Sequence, residues 1–569
     1  MRLRTALFAL LLFIPAFPAV YAQTKEPEKS AAHETPPDVK AFSDANKITD
    51  PAEKIAAFEK FKKDFPDSQS LTSADMGILS TLASKMPDQQ ARIREKAKSI
   101  LKVAKDKKDE GSRAGQIADT LLTNKILLKD AEKYARISLD SVQQKEFIAD
   151  QQAQFAKRKA SAKDPSKMTA PTDEELVKRY SQMRASRLAT LARIEFERGN
   201  TSAALQSAGE AHRLNPDQPG AKATLGEIAL QKGDNAGALD YLLGARLAGQ
   251  SSPATIAALA KAYSNLHNGN AAGLDSMLNS EYRKRFPEPL HLDAYQPDAK
   301  RSDRLVLAEV FTGGGCPPCV GADLAFDAAM QRYPRKDLAV VMYHEHVPRP
   351  DPMTNSDTQA RMKYYDVRGV PTYFIDGNSV DYNGAGREET KSVWEHIQEP
   401  IEKELDTPAE AKIVVNAASK GDSVKVSARV EGVKSKSRDL KVQVLLIEKE
   451  LVYSGENGIR FHPMVVRAMG GPDDDGFALD AAAPAPVEQS WDLDQISASL
   501  KSQLDDYEAK GHRGSPFQFI EKKYQIDRGN LAVVVFVQDA KTQHILQAAY
   551  FDLDPSAPHI PTSSSGDRR

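Results

Sequence analysis

The chain has 569 residues, a formal net charge of −2 and two cysteines, Cys316 and Cys319. Near-neutrality offers no field for nucleic acid, and one closely spaced thiol pair cannot supply the disulfide framework on which small secreted folds depend. The length corresponds to about three or four domains. Residues 1–22, MRLRTALFALLLFIPAFPAVYA, place two arginines before an apolar stretch that ends in small residues at Val20-Tyr21-Ala22. This is the pattern of a cleavable signal peptide. Pro15 and Pro18 interrupt a stretch already short for a bilayer span, and no cysteine near the cleavage point allows lipid attachment. Cleavage removes Arg2 and Arg4 and no acid, leaving a net charge of −4. No later segment is long and apolar enough to span a membrane, so the mature chain is expected in the periplasm or secreted. The basic run Lys157-Arg158-Lys159 reads as a solvated helix face.

Residues 23–42 are polar and proline-dotted, which predicts a linker. A helical region is expected over 43–175. Its segment DPAEKIAAFEKFKKDFPDS offers Asp50 as N-cap, Pro51 in the first turn, and Ile55, Phe58 and Phe65 near one face. Pro66 stops it. The stretch SAKDPSKMTAPTDEE looks flexible. Over 180–285 the sequence repeats: Leu191 and Leu225, Ile194 and Ile228, Gly199 and Gly233, Ala204 and Ala238, and Ala211 and Ala245 each stand 34 residues apart. That is the tetratricopeptide period, with small residues allowing two antiparallel helices to approach and glycine turning between them. A weaker third unit starts near Ile256, with Leu259 and Ala262 in register. Such arrays leave a concave surface suited to a protein ligand, although a plain spacer fits equally well.

Residues 286–303, FPEPLHLDAYQPDAKRSD, have the composition of a boundary. The next hundred residues, 303–404, read as a small α/β domain: a buried strand RLVLAEVF, a helix over 317–333, a strand DLAVVMYH and a helix near 355–365. A hairpin turning at Asp376-Gly377 and a final helix complete it. From 405 to 556 the alternation of SVKVSARVEG and the β-rich runs LKVQVLLIEKELVY and LAVVVFVQDAKTQHILQAAYFDL predict a β-sandwich. A helical insertion carries Leu493, Ile496, Leu500 and Leu504. The serine-rich tail, 557–569, reads as disordered. The fold class expected is therefore multidomain: helical repeats, an α/β domain, and a mostly-β sandwich.

The segment FTGGGCPPCVG joins the first buried strand to a helix. A disulfide between Cys316 and Cys319 closes a loop too short to restrain much unfolded chain, so a reactive pair explains it better than a staple. At a helix mouth the unpaired N–H groups and the helix dipole favour a thiolate. That makes Cys316 the expected nucleophile and Cys319 the resolving thiol. Gly313, Gly314 and Gly315 permit a sharp turn and a partner's close approach. Pro317 and Pro318 remove two N–H donors and leave those of Cys319 and Val320, which predicts a moderately lowered Cys316 pKa and argues against a strongly oxidising pair. A structural zinc site needs about four ligands. The nearest candidates, His344 and His346 with Asp351, could hold copper or zinc beside the cysteines. Hydrogen-bonded loop roles are the simpler expectation, and no metal is assigned.

A CxxC between strand and helix, followed by VRGVPTYFIDG, resembles the thioredoxin superfamily over 303–404, under a fifth of the chain. The resemblance implies a cis peptide bond at Pro371 beside the cysteines and a Val370 backbone that pairs with a bound thiol or disulfide partner. Pro317 and Pro318 line the same substrate surface. CPPC with a signal peptide is similar to the exported, TlpA-like branch, which implies a thiol–disulfide oxidoreductase of reductive bias. Implied partners are protein disulfide or thiol substrates and a reducing dithiol protein; no organic cofactor is implied. Two departures stand out: Gly315 replaces the usual tryptophan, and the family's buried proton-relaying acid has no match at its usual spacing. Glu309, one residue further upstream, is the candidate for that acid, with an outward strand carboxylate as the alternative. GENGIRFHPMVVRAMGG is similar to β-rich modules that follow such domains, and His462 and Arg467 within it are read as strand and loop residues. Two other functions fit the same residues: an envelope scaffold with a vestigial thioredoxin-like domain, and a copper-handling protein.

Overall fold

The computed structural model describes residues 36–161, 165, 168–249, 252–382, 384–472, 476–512 and 517–553. The leader and the 557–569 tail lie outside them. The described chain divides into a helical unit running to Leu278 and a sheet-based unit formed mainly by Asn279–Glu508 and the residues from Phe519 onward.

In the helical unit Asp50 caps the Pro51–Asp64 helix by accepting from the Glu53 N–H at 2.8 Å. Phe58 and Phe61 are buried below it. A helix also occupies Pro37–Lys47, beginning within the last residues of the linker expected over 23–42. Pro37 sits in its first turn, where a missing N–H costs nothing. Phe42 then packs on Phe58 and Phe61 at ring separations of 5.8 and 5.7 Å. Pro36 and Pro37 thus mark a helix start, while residues 23–35 of that linker lie outside the described residues.

The 34-residue period becomes paired helices, Asp173–Glu197 with Thr201–Leu214 and Pro219–Gln231 with Asn235–Leu247. Gly199 and Gly233 turn between the partners at φ of +81° and +79°, a conformation that costs glycine nothing. Leu191, Leu225 and Leu259 are buried at matching positions, as are Ile194, Ile228 and Ala262. Arg193 reaches Glu227, one period away, at 2.8 Å. The third unit turns at Gly269, two residues later than the period requires.

The second unit is built on β1 (Val306–Thr312), every residue of which is buried. β2 (Leu338–His344) lies parallel to it; β3 (Thr372–Ile375) is antiparallel on the other side and turns through Asp376-Gly377 into β4 (Asn378–Ser379). The parallel pair is joined through the Cys319–Arg332 helix. Because side chains alternate along a strand, Thr312 and Glu309 point to opposite faces. Thr312 meets Asp323 of the Cys319–Arg332 helix, whereas Glu309 meets Arg361 of the Ser356–Tyr364 helix. Helices therefore cover both faces. Residues 286–303 run irregularly, with Leu290, Leu292 and Tyr295 against the core.

The separate β-sandwich expected over 405–556 requires correction. β7 (Leu440–Val452), β8 (Phe461–Met469), β11 (Leu531–Asp539) and β12 (Ile545–Asp552) extend the same sheet in the order β12-β11-β7-β8-β2-β1-β3-β4, with β9 (Phe477–Ala478) beside β7. The join is parallel, Met342 of β2 opposite Val465 of β8. β5 (Lys412–Lys420), β6 (Ser423–Glu431) and β10 (Val487–Asp492) form a second, three-stranded sheet. Its Val424, Val426 and Ala428 share a core with Val442, Val444 and Val535 of the large sheet. Two sheets do face each other, but one of them belongs equally to the 303–404 segment. The physical reason is the edge of β2, whose unpaired backbone groups need a partner strand.

Candidate active site

The glycine-rich turn after β1 delivers Cys316 just before the Cys319–Arg332 helix, with Cys319 as its first helical residue, and the two form a disulfide. The helix starts two residues later than the range 317–333 suggests. Its first N–H groups are already engaged: Cys319 donates to the Cys316 carbonyl at 3.2 Å, Val320 to Pro317 at 3.4 Å, and Gly321 to Ala385 at 2.8 Å. The donors of Cys319 and Val320, expected to face the sulfur, are thus spent on carbonyls.

The Val370–Pro371 peptide bond is cis. The Val370 carbonyl oxygen lies 3.7 Å from the Cys316 sulfur. Pro371 and the carbonyl of Pro318 both crowd Gly384, where a Cβ would clash with the two of them. Pro317 is exposed and Pro318 half-buried. Val370, Pro371, Pro317 and Pro318 therefore gather around the cysteines.

Glu309 does not. It lies on the face of the sheet opposite the Cys319–Arg332 helix, fully buried. It accepts from Arg361 at 2.7 and 3.0 Å, from Tyr343 at 2.9 Å and from Tyr365 at 2.5 Å. With four donors it is neither an outward carboxylate nor a group able to reach Cys319. The acid on the cysteine side is Asp323. It follows Cys319 by four residues, so both side chains share one helix face about 5–6 Å apart at Cβ. Asp323 accepts from the Thr312 hydroxyl at 2.7 Å. Burial pushes its carboxyl up to about 6, against the pull of Thr312 and His344.

Beside the turn, Asp351 accepts from the Gly314 N–H at 2.5 Å and pairs with His344 Nδ1 at 2.9 Å. Burial opposes its ionisation, yet His344 and the N–H groups of Gly314 and Met353 hold it near 2. His346 Nδ1 accepts from the Asp351 N–H at 2.9 Å. His344, the last residue of β2, and His346 are thus both hydrogen-bonded to Asp351, and among the described residues no group of three His, Cys, Asp or Glu side chains is placed to hold a metal. His462 lies buried on β8 against the Tyr453 carbonyl at 2.9 Å; burial and His344 push its pKa down to about 3. Arg467, also on β8, pairs with Glu448 at 3.2 Å.

Both cysteines are 0% exposed. The space beside the three glycines, expected to admit a partner, is occupied by the chain itself. A Cβ on Gly313 would meet the Val347 carbonyl at 2.8 Å, one on Gly314 the Tyr453 ring at 3.5 Å, and one on Gly315 the Arg349 side chain at 2.9 Å. Asn457, from the turn between β7 and β8, donates its backbone N–H to Gly314 at 3.0 Å. Its side-chain amide donates to the carbonyls of Gly313 at 3.3 Å and Cys316 at 3.4 Å. Sequence reasoning missed Asp323 and Asn457. The four-residue spacing from Cys319 was available for the first; nothing local signals the second.

No family model matches the chain, and no curated protein matches it. Among solved structures, HBP35 of Porphyromonas gingivalis aligns with 46% of this chain and 80% of its own at 15% identity and a TM-score of 0.31. So loose a superposition decides nothing about the site. Among the described residues no helix is long and apolar enough to cross a membrane.

Proposed function

We propose that the chain is an exported thiol–disulfide oxidoreductase of thioredoxin-like architecture, with Cys316–Cys319 as its redox-active disulfide. The observation that carries this reading is the approach of two separate segments: the Val370 carbonyl lies 3.7 Å from the Cys316 sulfur of the disulfide at the strand-to-helix turn. In the reductive direction the Cys316 thiolate attacks one sulfur of a substrate disulfide, forming a mixed disulfide and releasing one substrate thiolate. Asp323 takes the Cys319 proton, and the resulting thiolate attacks the Cys316 sulfur. The second substrate thiol leaves and the protein is left oxidised, as it stands here; an external dithiol protein reduces it again. No organic cofactor takes part. The N–H donors at the helix mouth are spent on carbonyls and leave little to stabilise a Cys316 thiolate, which favours reduction of partners. The helical repeats are assigned to partner recognition.

A second reading has one observation behind it. Complete burial of both cysteines suits an envelope scaffold whose disulfide no longer turns over. Reduction of insulin by dithiothreitol separates the two. The oxidoreductase accelerates it and its Cys316→Ser variant does not; equal background rates from both establish the scaffold.

A further inference from the structure

We infer that the turn over residues 453–460 is a cap on the redox site, and that a partner reaches Cys316 only after it lifts. This inference rests on the redox reading above and adds the regulation of that site. The base of the turn is firm. Tyr453 N–H donates to the Arg460 carbonyl at 2.9 Å, and Gly455 N–H to Ile459 at 2.7 Å. Arg460 is held by Ser454 Oγ at 2.6 Å and Asn279 Oδ1 at 2.7 Å.

The tip is different in kind. Residues 455–458 are Gly-Glu-Asn-Gly, with no apolar side chain to bury. Their hold on the redox turn is polar: the three Asn457 hydrogen bonds described above, and an ion pair from Glu456 to Arg349, which lies along Gly315. Gly455 is built for this contact, since a Cβ there would meet the Gly314 carbonyl at 2.6 Å. The turn therefore occupies, with its own backbone and one amide, the surface beside the glycines where an extended partner would lie. A tip held by polar bonds exchanges them for water at small cost, so it opens as a unit on its firm base.

The test is the rate at which dithiothreitol reduces Cys316–Cys319 in the oxidised full-length chain, read by mass after alkylation. Asn457→Asp keeps the acceptor used by the Ile459 N–H at 3.0 Å but sets an anion against the Gly313 and Cys316 carbonyls. Reduction should accelerate about tenfold, equivalent to losing one to two net hydrogen bonds. Arg349→Glu should accelerate it less, and adding Glu456→Arg should restore protection, which a misfolded variant would not do. Rates unchanged in both single variants, or a wild-type rate equal to that of the denatured chain, overturn the cap. The measurement needs no partner protein. Protection lost in the variants with no insulin reduction by any of them keeps the cap and sinks the enzymatic reading; insulin reduction without protection does the reverse.

Discussion

Glu309 and Asp323 show how one strand position decides a role. Glu309 is closer in sequence to the position a relay acid would occupy, but the alternation of β1 turns it away from the cysteines and into the donors of Arg361, Tyr343 and Tyr365. Removing one partner from such a buried pair strands the other charge, so its function is to lock the Ser356–Tyr364 helix to the sheet. Asp323 has the opposite character: a single hydroxyl donor from Thr312 and a carboxyl raised to about 6. The raised value has a thermodynamic consequence of definite sign. The folded chain favours the neutral carboxyl, so this contribution to stability is complete below the ordinary Asp pKa and is lost as pH rises through 6. An asparagine side chain at this position would keep the acceptor for Thr312 and stay neutral. We therefore expect Asp323→Asn to exceed the wild type in stability by up to about 3 kcal/mol near pH 8, with the difference shrinking to about 0.5 kcal/mol near pH 4. Urea unfolding at the two pH values reads this directly, and a gain that does not vary with pH would contradict it.

At the scale of elements, the legible features were those with a local cause. The 34-residue period is carried by glycine and alanine at positions where two helices touch or turn, and Gly199 and Gly233 sit in those turns with positive φ. Asp50 before Pro51, and Asp376 before Gly377, likewise signalled a cap and a turn through their own chemistry. The partnering of strands had no such signal. β11 is almost continuously apolar, and it and residues 442–448 of β7 are buried on both faces, which marks interior strands without saying which neighbour they take. The neighbour is β2, through β8. Leu445, Ile447, Val466 and Phe536 thereby join the core around Phe311 and Tyr343. It follows that residues 286–406 alone, cut where a domain boundary was expected, would expose the edge of β2 and the core surface that Leu445, Ile447, Val466 and Phe536 cover. Such a fragment should be insoluble or lack near-ultraviolet circular dichroism. A soluble fragment with cooperative thermal unfolding would show that the shared sheet is dispensable.

For the whole molecule, the cysteine motif and Val370-Pro371 were readable because each is a short segment with its own chemistry. The residues that finish the site were not, because Asn457 and Glu456 lie about 140 residues further along the chain and meet the motif only after β8 has docked on β2. The same docking that completes the sheet thus closes the site, coupling a structural necessity to access. The central claim is that Cys316 is a nucleophile with Cys319 as its resolver, and trapping tests it most directly. Full-length Cys319→Ser, incubated with a disulfide-linked peptide dimer, should gain the mass of one peptide half and lose it again to dithiothreitol. The account predicts that adduct in Cys319→Ser, a larger yield when Asn457→Asp is added, and none in Cys316→Ser. An equal adduct in Cys316→Ser, or none from Cys319→Ser even with Asn457→Asp, would contradict it.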